Sequence, residues 1–156
     1  MSDKQNIDAY SADISVTFKE GAPFKGKVYI QGDGNYAVFH WPDQTNTKET
    51  TELAEFETQT KWVTTAKGCV KSNFEEPDPK FAGMVSHKGY KLVSNKCGEN
   101  IYSSDGIVCT YAVDEQQREI ISSIVFQDTR IEFTDVVFAQ QDPSRFVPPP
   151  DCDATA

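Results

Sequence analysis

The sequence predicts an all-β, mainly antiparallel fold with at most short helices, arranged as a barrel, half-barrel or sandwich. Three observations carry this. Val, Ile and Thr number 13, 9 and 13, whereas Leu and Met together number 4. Branching at Cβ restricts χ1 in a helix and suits a pleated surface. Apolar and polar residues alternate with period two in segment after segment, and Gly, Pro and Asn punctuate the chain too often for a long helix.

The elements follow in order. Residues 1–12 are polar without a period and read as a flexible arm, followed by one domain over 13–152 and a tail over 153–156. Ile14, Val16 and Phe18 share one face of a first strand, with Ser15, Thr17 and Lys19 on the other. Gly21-Ala22-Pro23 turns the chain into a second strand over 25–31, with Val28 and Ile30 inward. The stretch Gln31-Gly32-Asp33-Gly34-Asn35 suits a tight hairpin. The third strand, Tyr36–Trp41, carries large groups on both faces, which predicts cover on both faces. Further strands are expected at 51–58, 60–70, 83–93, 106–113, 118–127 and 129–138, with a short turn at Asp128-Thr129. Pro77 and Pro79 exclude a long helix over 73–82. The run Pro148-Pro149-Pro150 imposes an extended tail.

Charge narrows the function. Fifteen Lys and Arg against 24 Asp and Glu give a net charge of −9, which disfavours nucleic-acid backbone and anionic-membrane partners. No run approaches the roughly 18 apolar residues of a spanning helix. The four cysteines, Cys69, Cys97, Cys109 and Cys152, are even in number and fit an oxidised, secreted domain. None forms a CxxC pair, so zinc-ribbon and thioredoxin readings fail. Three pairings remain open. Residues Met1–Asn6 contain no apolar h-region, so secretion implies that the chain is a mature form.

Catalytic signatures are sparse. His40 and His87 are the two residues able to serve as a neutral-pH base, and no GxSxG, HExxH or GxxxxGK[ST] motif occurs. The acidic stretches Glu75-Glu76-Pro77-Asp78 and Asp151-Cys152-Asp153 lack EF-hand spacing and read as solvated loops. Neither metal nor cofactor is expected. The aromatic surplus is more informative. Phe39, Trp41, Trp62, Tyr90, Phe126 and Phe133 fall on expected strands and are candidates to line an apolar ligand pocket. Phe56 belongs to the same surplus. The alternative is a filled core.

The last third of the chain is distinctive. It contains Thr129-Arg130-Ile131-Glu132-Phe133-Thr134-Asp135-Val136, then Asp142-Pro143-Ser144-Arg145-Phe146, then Pro148-Pro149-Pro150-Asp151-Cys152. This ending resembles that of ependymin-related proteins and is similar to eukaryotic relatives of the LolA-type lipoprotein carriers. Upstream, Gly26-Lys27-Val28-Tyr29-Ile30, Gly68-Cys69 and Gly89-Tyr90-Lys91-Leu92-Val93 resemble the family's early strand, mid-chain cysteine and later strand. The resemblance implies an antiparallel sheet rolled into a half-barrel around a hydrophobic pocket. It also implies that a disulfide at Cys152 pins the tail, with Cys69 as partner and Cys97 and Cys109 as the remaining pair.

These readings converge on a secreted, non-enzymatic binding protein or carrier for a small hydrophobic, lipid-like ligand. The alternatives are an extracellular structural or adhesion protein with a full core, and a small β-barrel enzyme using His40 or His87. Open sheet edges also invite a homodimer.

Overall fold

The computed structural model describes residues 9–19, 23–31, 35–43, 48–74, 84, 89–150 and 152–154. Strands β1 (Tyr10–Thr17), β2 (Phe24–Ile30), β3 (Tyr36–Trp41), β4 (Thr50–Glu55), β5 (Thr60–Thr65) and β6 (Gly68–Asn73) form one up-and-down meander. The chain then starts again at the opposite edge. Strands β7 (Lys91–Ser94), β8 (Glu99–Ser104), β9 (Ile107–Val113), β10 (Glu119–Phe126) and β11 (Thr129–Phe138) meander back until β11 pairs with β1. All eleven are antiparallel neighbours. A last two-residue strand, β12 (Asp153–Ala154), adds in parallel to β6. Among the described residues the sheet is open, ending at β7 and β12.

The sheet curls because its central strands carry extra residues. Extra residues lie on β11 between Thr134 and Val137, opposite Ser11 and Asp13 of β1, and on β10 between Ile121 and Ser123. On β11 the inward set changes phase from Ile131 and Phe133 to Val136 and Phe138, and Asp135 at that step has φ 52°. Bulges of this kind bend a strand and increase its twist. The concave face gathers Ile14, Val28, Phe39, Ala54, Cys109 and Ile124 into one core, although β4 and β9 stand far apart in the sheet.

The convex face of the first meander is covered by the C-terminal tail. Asp142 caps a short 3₁₀ turn (Pro143–Phe146) by accepting from the Ser144 amide at 3.0 Å. The Ser144 bonds hold the Asp142 carboxyl below the usual range. Phe146 is buried with Val38, Leu53 and Trp62, and the Arg145 guanidinium lies 3.8 Å from the Tyr29 ring centre. Cys152 is disulfide-bonded to Cys69 on β6. The double cover expected of β3 is present, since Ala37, Val38 and Phe39 are all buried.

Several expectations change. Of the arm expected over 1–12, residues 10–12 belong instead to β1, where Tyr10 and Ala12 are buried, and residues 1–8 lie outside the described residues. The single strand expected at 60–70 is two strands, turning at Ala66-Lys67. Strand β8, with only two apolar residues in ENIYSS, has no counterpart in the expected series. The Cys97–Cys109 link is absent. Cys97 sits exposed at the tip of the β7–β8 hairpin with φ 58°, whereas Cys109 is buried opposite Tyr102, inside the concave core. The turns at Gly21-Ala22 and Gly32–Gly34, the acidic stretch 75–78, His87, Asp151 and most of the strand expected at 83–93 lie outside the described residues.

Candidate functional site

One end of the concave face holds a cavity of about 370 Å³, within the range typical of small-ligand sites. Strands β1 and β3 end there, and β2 and β4 begin there, as adjacent antiparallel strands must. Among the described residues its apolar wall consists of Val16, Phe18, Phe24, Trp41, Phe126 and Ile131, and its polar lining residues are Thr50, Glu52 and Thr129. Phe18 is half exposed and meets Phe24 edge-on at 5.6 Å between ring centres, forming part of the mouth. Glu52 is buried, with its carboxylate 3.9 Å from the Lys61 ammonium.

Trp41 is positioned by what lies beneath it. Gly26 faces it from β2, and a Cβ there would stand 2.5 Å from Trp41 Cε3 and 2.8 Å from the His40 carbonyl oxygen. Only a residue without Cβ admits so close an approach. On its own strand Trp41 stacks on Phe39, the planes 5° apart and the centres 6.2 Å apart. Gly26→Ala should therefore push the indole into the cavity. We expect a loss of about 1–3 kcal/mol by the usual cost of overpacking, together with weaker apolar-probe binding, read by denaturant melts and probe titration. Unchanged stability and unchanged binding would show that the indole has room to move.

Of the six aromatic candidates, strand parity sets Trp62 apart, and the others differ in where they lie along the concave face. Trp41 and Phe126 line the cavity. Phe39 is fully buried beneath Trp41, and Phe133 lies in the concave core without reaching the cavity. Phe56 also packs against that core, edge-on to Phe74. Tyr90 packs against the far part of the core, its buried hydroxyl making no hydrogen bond among the described residues. Burial pushes that phenol up to about 12. Trp62 points the other way. It is opposite Leu53 on β4 and buried under the tail, so the two tryptophans do not share a cavity. Val16, Phe18, Phe24, Thr50, Glu52, Thr129 and Ile131 complete the site without having been singled out as ligand residues.

Away from this cavity the concave core turns polar. Tyr102 donates to Glu119 at 2.6 Å and Asn100 donates to the same oxygen at 3.0 Å, while Tyr10 donates to the Met84 carbonyl at 2.8 Å. Burial raises the Tyr10 and Tyr111 phenols far above their ordinary range. The convex face carries a larger depression of about 580 Å³, but its walls include Asp13, Ser15, Lys25, Lys27, His40 and Thr134 and suit no greasy ligand.

No family model and no curated protein matches the sequence. Solved structures do match. An uncharacterized conserved protein from Thermus thermophilus superposes with a TM-score of 0.58 at 11% identity, covering 95% of this chain and 90% of that one. A LolA superfamily protein from Nitrosomonas europaea superposes with a TM-score of 0.52 at 10% identity, covering 92% of each chain. The fold is LolA-like. In this LolA-like sheet the cavity lies on the concave side, beside the β1–β11 seam. Among the described residues no helix is long and apolar enough to cross a membrane.

Proposed function

We propose that this chain is a secreted, non-enzymatic binding protein or carrier for a hydrophobic, lipid-like ligand. The observation that carries the reading is the cavity itself, an aromatic-walled recess at the open end of a curved sheet. The LolA-like fold supports it, as does the resemblance to LolA-type lipoprotein carriers. Secretion is supported by the Cys69–Cys152 disulfide. The ependymin-related reading draws support from the tail, where the Asp142–Phe146 turn anchors and Cys152 pins it.

The non-enzymatic part is supported by the surroundings of His40. Its Nδ1 is 3.3 Å from Thr51 Oγ1. Asp13, Lys27 and His40 form one row across β1, β2 and β3, so two strand spacings, about 10 Å, part Asp13 from His40. Ser15 also lies on β1, and no Ser–His–acid relay assembles from these residues. As for a homodimer, β7 ends the sheet with Leu92 and Val93 exposed, the edge through which a second copy would pair.

The test is a titration with an uncharged, environment-sensitive apolar dye. Saturable binding is expected in the parent. Trp41→Ala should weaken it by about tenfold or more, which is 1.4 kcal/mol, while stability falls less than for a fully buried ring. A parent that binds no apolar probe would leave the filled-core structural reading in its place.

A further inference from the structure

We infer that Asn95, at the tip of the β7–β8 hairpin, is an acceptor for N-linked glycosylation, with the Cys97 thiol standing where a hydroxyl usually does. This rests on the secretion reading above, because the transfer takes place in the secretory compartment. The usual acceptor pattern is N-x-[ST]. None of Asn6, Asn35, Asn46, Asn73, Asn95 and Asn100 is followed two residues later by Ser or Thr. Asn95-Lys96-Cys97 alone places a γ-atom donor at that position. A thiol is a weaker donor and acceptor than a hydroxyl, so it supports the same contact less efficiently and the site should be partly filled.

The hairpin gives both residues a suitable setting. The Glu99 amide donates to the Lys96 carbonyl at 3.2 Å, and the two residues between them, Cys97 and Gly98, have φ 58° and 73°. Positive φ at both central positions marks a type I′ turn. Asn95 directly precedes this turn and is exposed, as are Lys96, Cys97 and Gly98. A glycan there leaves the sheet without disturbing the core. Cysteine is a poor choice for a turn position that Asn, Asp and Gly favour. Nor does a bridge within the chain explain it, since Cys69 is bonded to Cys152 and Cys109 is buried in the concave core. Its spacing from Asn95 does. In the transfer, Asn95 Nδ2 bonds the anomeric carbon of an oligosaccharide carried on a polyprenyl diphosphate. The bond from that carbon to the diphosphate oxygen breaks, the amide releases one proton, and the polyprenyl diphosphate departs.

The experiment expresses the parent, Asn95→Gln, Cys97→Ala and Cys97→Ser behind a cleavable leader in cultured eukaryotic cells. Protein from the medium is treated with a peptide N-glycosidase, which converts an occupied asparagine to aspartate, and peptide masses give the occupied fraction. The parent should carry glycan on part of its molecules, at Asn95 only. Asn95→Gln and Cys97→Ala should abolish it, and Cys97→Ser should raise the occupied fraction severalfold. Occupancy in Cys97→Ser with none in the parent would overturn the inference, because the thiol then fails to replace a hydroxyl. Secreted Cys97→Ser without glycan would also overturn it, showing that the hairpin is no acceptor. A disulfide-linked dimer that Cys97→Ser removes, with Asn95 unmodified in the parent, would overturn it in favour of a bridge between copies. Retention of the parent and every variant inside the cells, all unmodified, would remove the secretion reading and the inference with it.

Discussion

Replacing Cys69 and Cys152 together by Ser should lower the unfolding free energy by about 4–5 kcal/mol in the chain-entropy account of cross-links. The bond spans 83 residues, so it closes a long loop of the unfolded chain. It also holds the tail on the convex face, where Phe146 buries against Val38, Leu53 and Trp62. Denaturant melts of the variant should show the loss, and the emission of Trp62 should shift red as the tail frees it. Melts of parent and variant that coincide would mean that packing alone retains the tail. Thiol chemistry checks the same bond. Intact mass without reductant should lie about two units below the reduced value, for one disulfide. Exposed Cys97 should alkylate readily, whereas Cys109, its thiol pushed up to about 11 by burial, should react slowly.

Phe39→Ala should cost about 3–5 kcal/mol, the usual range for a fully buried aromatic ring. Phe39 has no exposed surface and sits where the core meets the cavity floor, stacked against Trp41. Its removal leaves a void that neighbours from several strands cannot fill without moving a rigid sheet. Phe39→Leu, which keeps most of the volume, should fold and lose a smaller part of the stability. The comparison with Trp41→Ala is the informative one. A half-buried indole facing a cavity should affect binding more than stability, and Phe39 the reverse. Equal losses of stability at both positions would place Trp41 in the filled core.

Strand class and most strand positions are legible in the sequence because alternation writes directly onto the two faces of a sheet. Ile14 and Val16, Val28 and Ile30, and Ala37 and Phe39 could all be phased this way. Two kinds of information were harder to read. The first is phase across a bulge: Ile131 and Phe133 hand over to Val136 and Phe138 only because Asp135 is an extra residue at positive φ. The second is which face becomes concave. Trp41 and Trp62 are equivalent in local pattern, and it is the tail docking by Phe146 and Cys152 that covers the Trp62 side. The cavity collects residues from strand ends on both sides of the β1–β11 seam, a non-local property that no window of sequence contains. Strand β8 escaped notice because its polar ENIYSS takes its structure from its neighbours β7 and β9.

The seam between β1 and β11 also governs when the sheet can form. Every other antiparallel pair joins strands consecutive along the chain, so each meander can zip locally as hairpins. The pairing at the centre must instead bring Tyr10 to Phe138 and Thr17 to Arg130. During synthesis, β1 therefore waits as an unpaired edge until nearly the whole chain has emerged. Closing so large a loop is an entropic barrier that local pairing does not share, and it slows folding. In that interval the apolar side of β1, with Ile14 and Val16, is open to wrong partners, including the same strand of another nascent copy. Dilute, slow refolding should favour the native sheet, and crowded refolding should favour aggregates seeded at this strand.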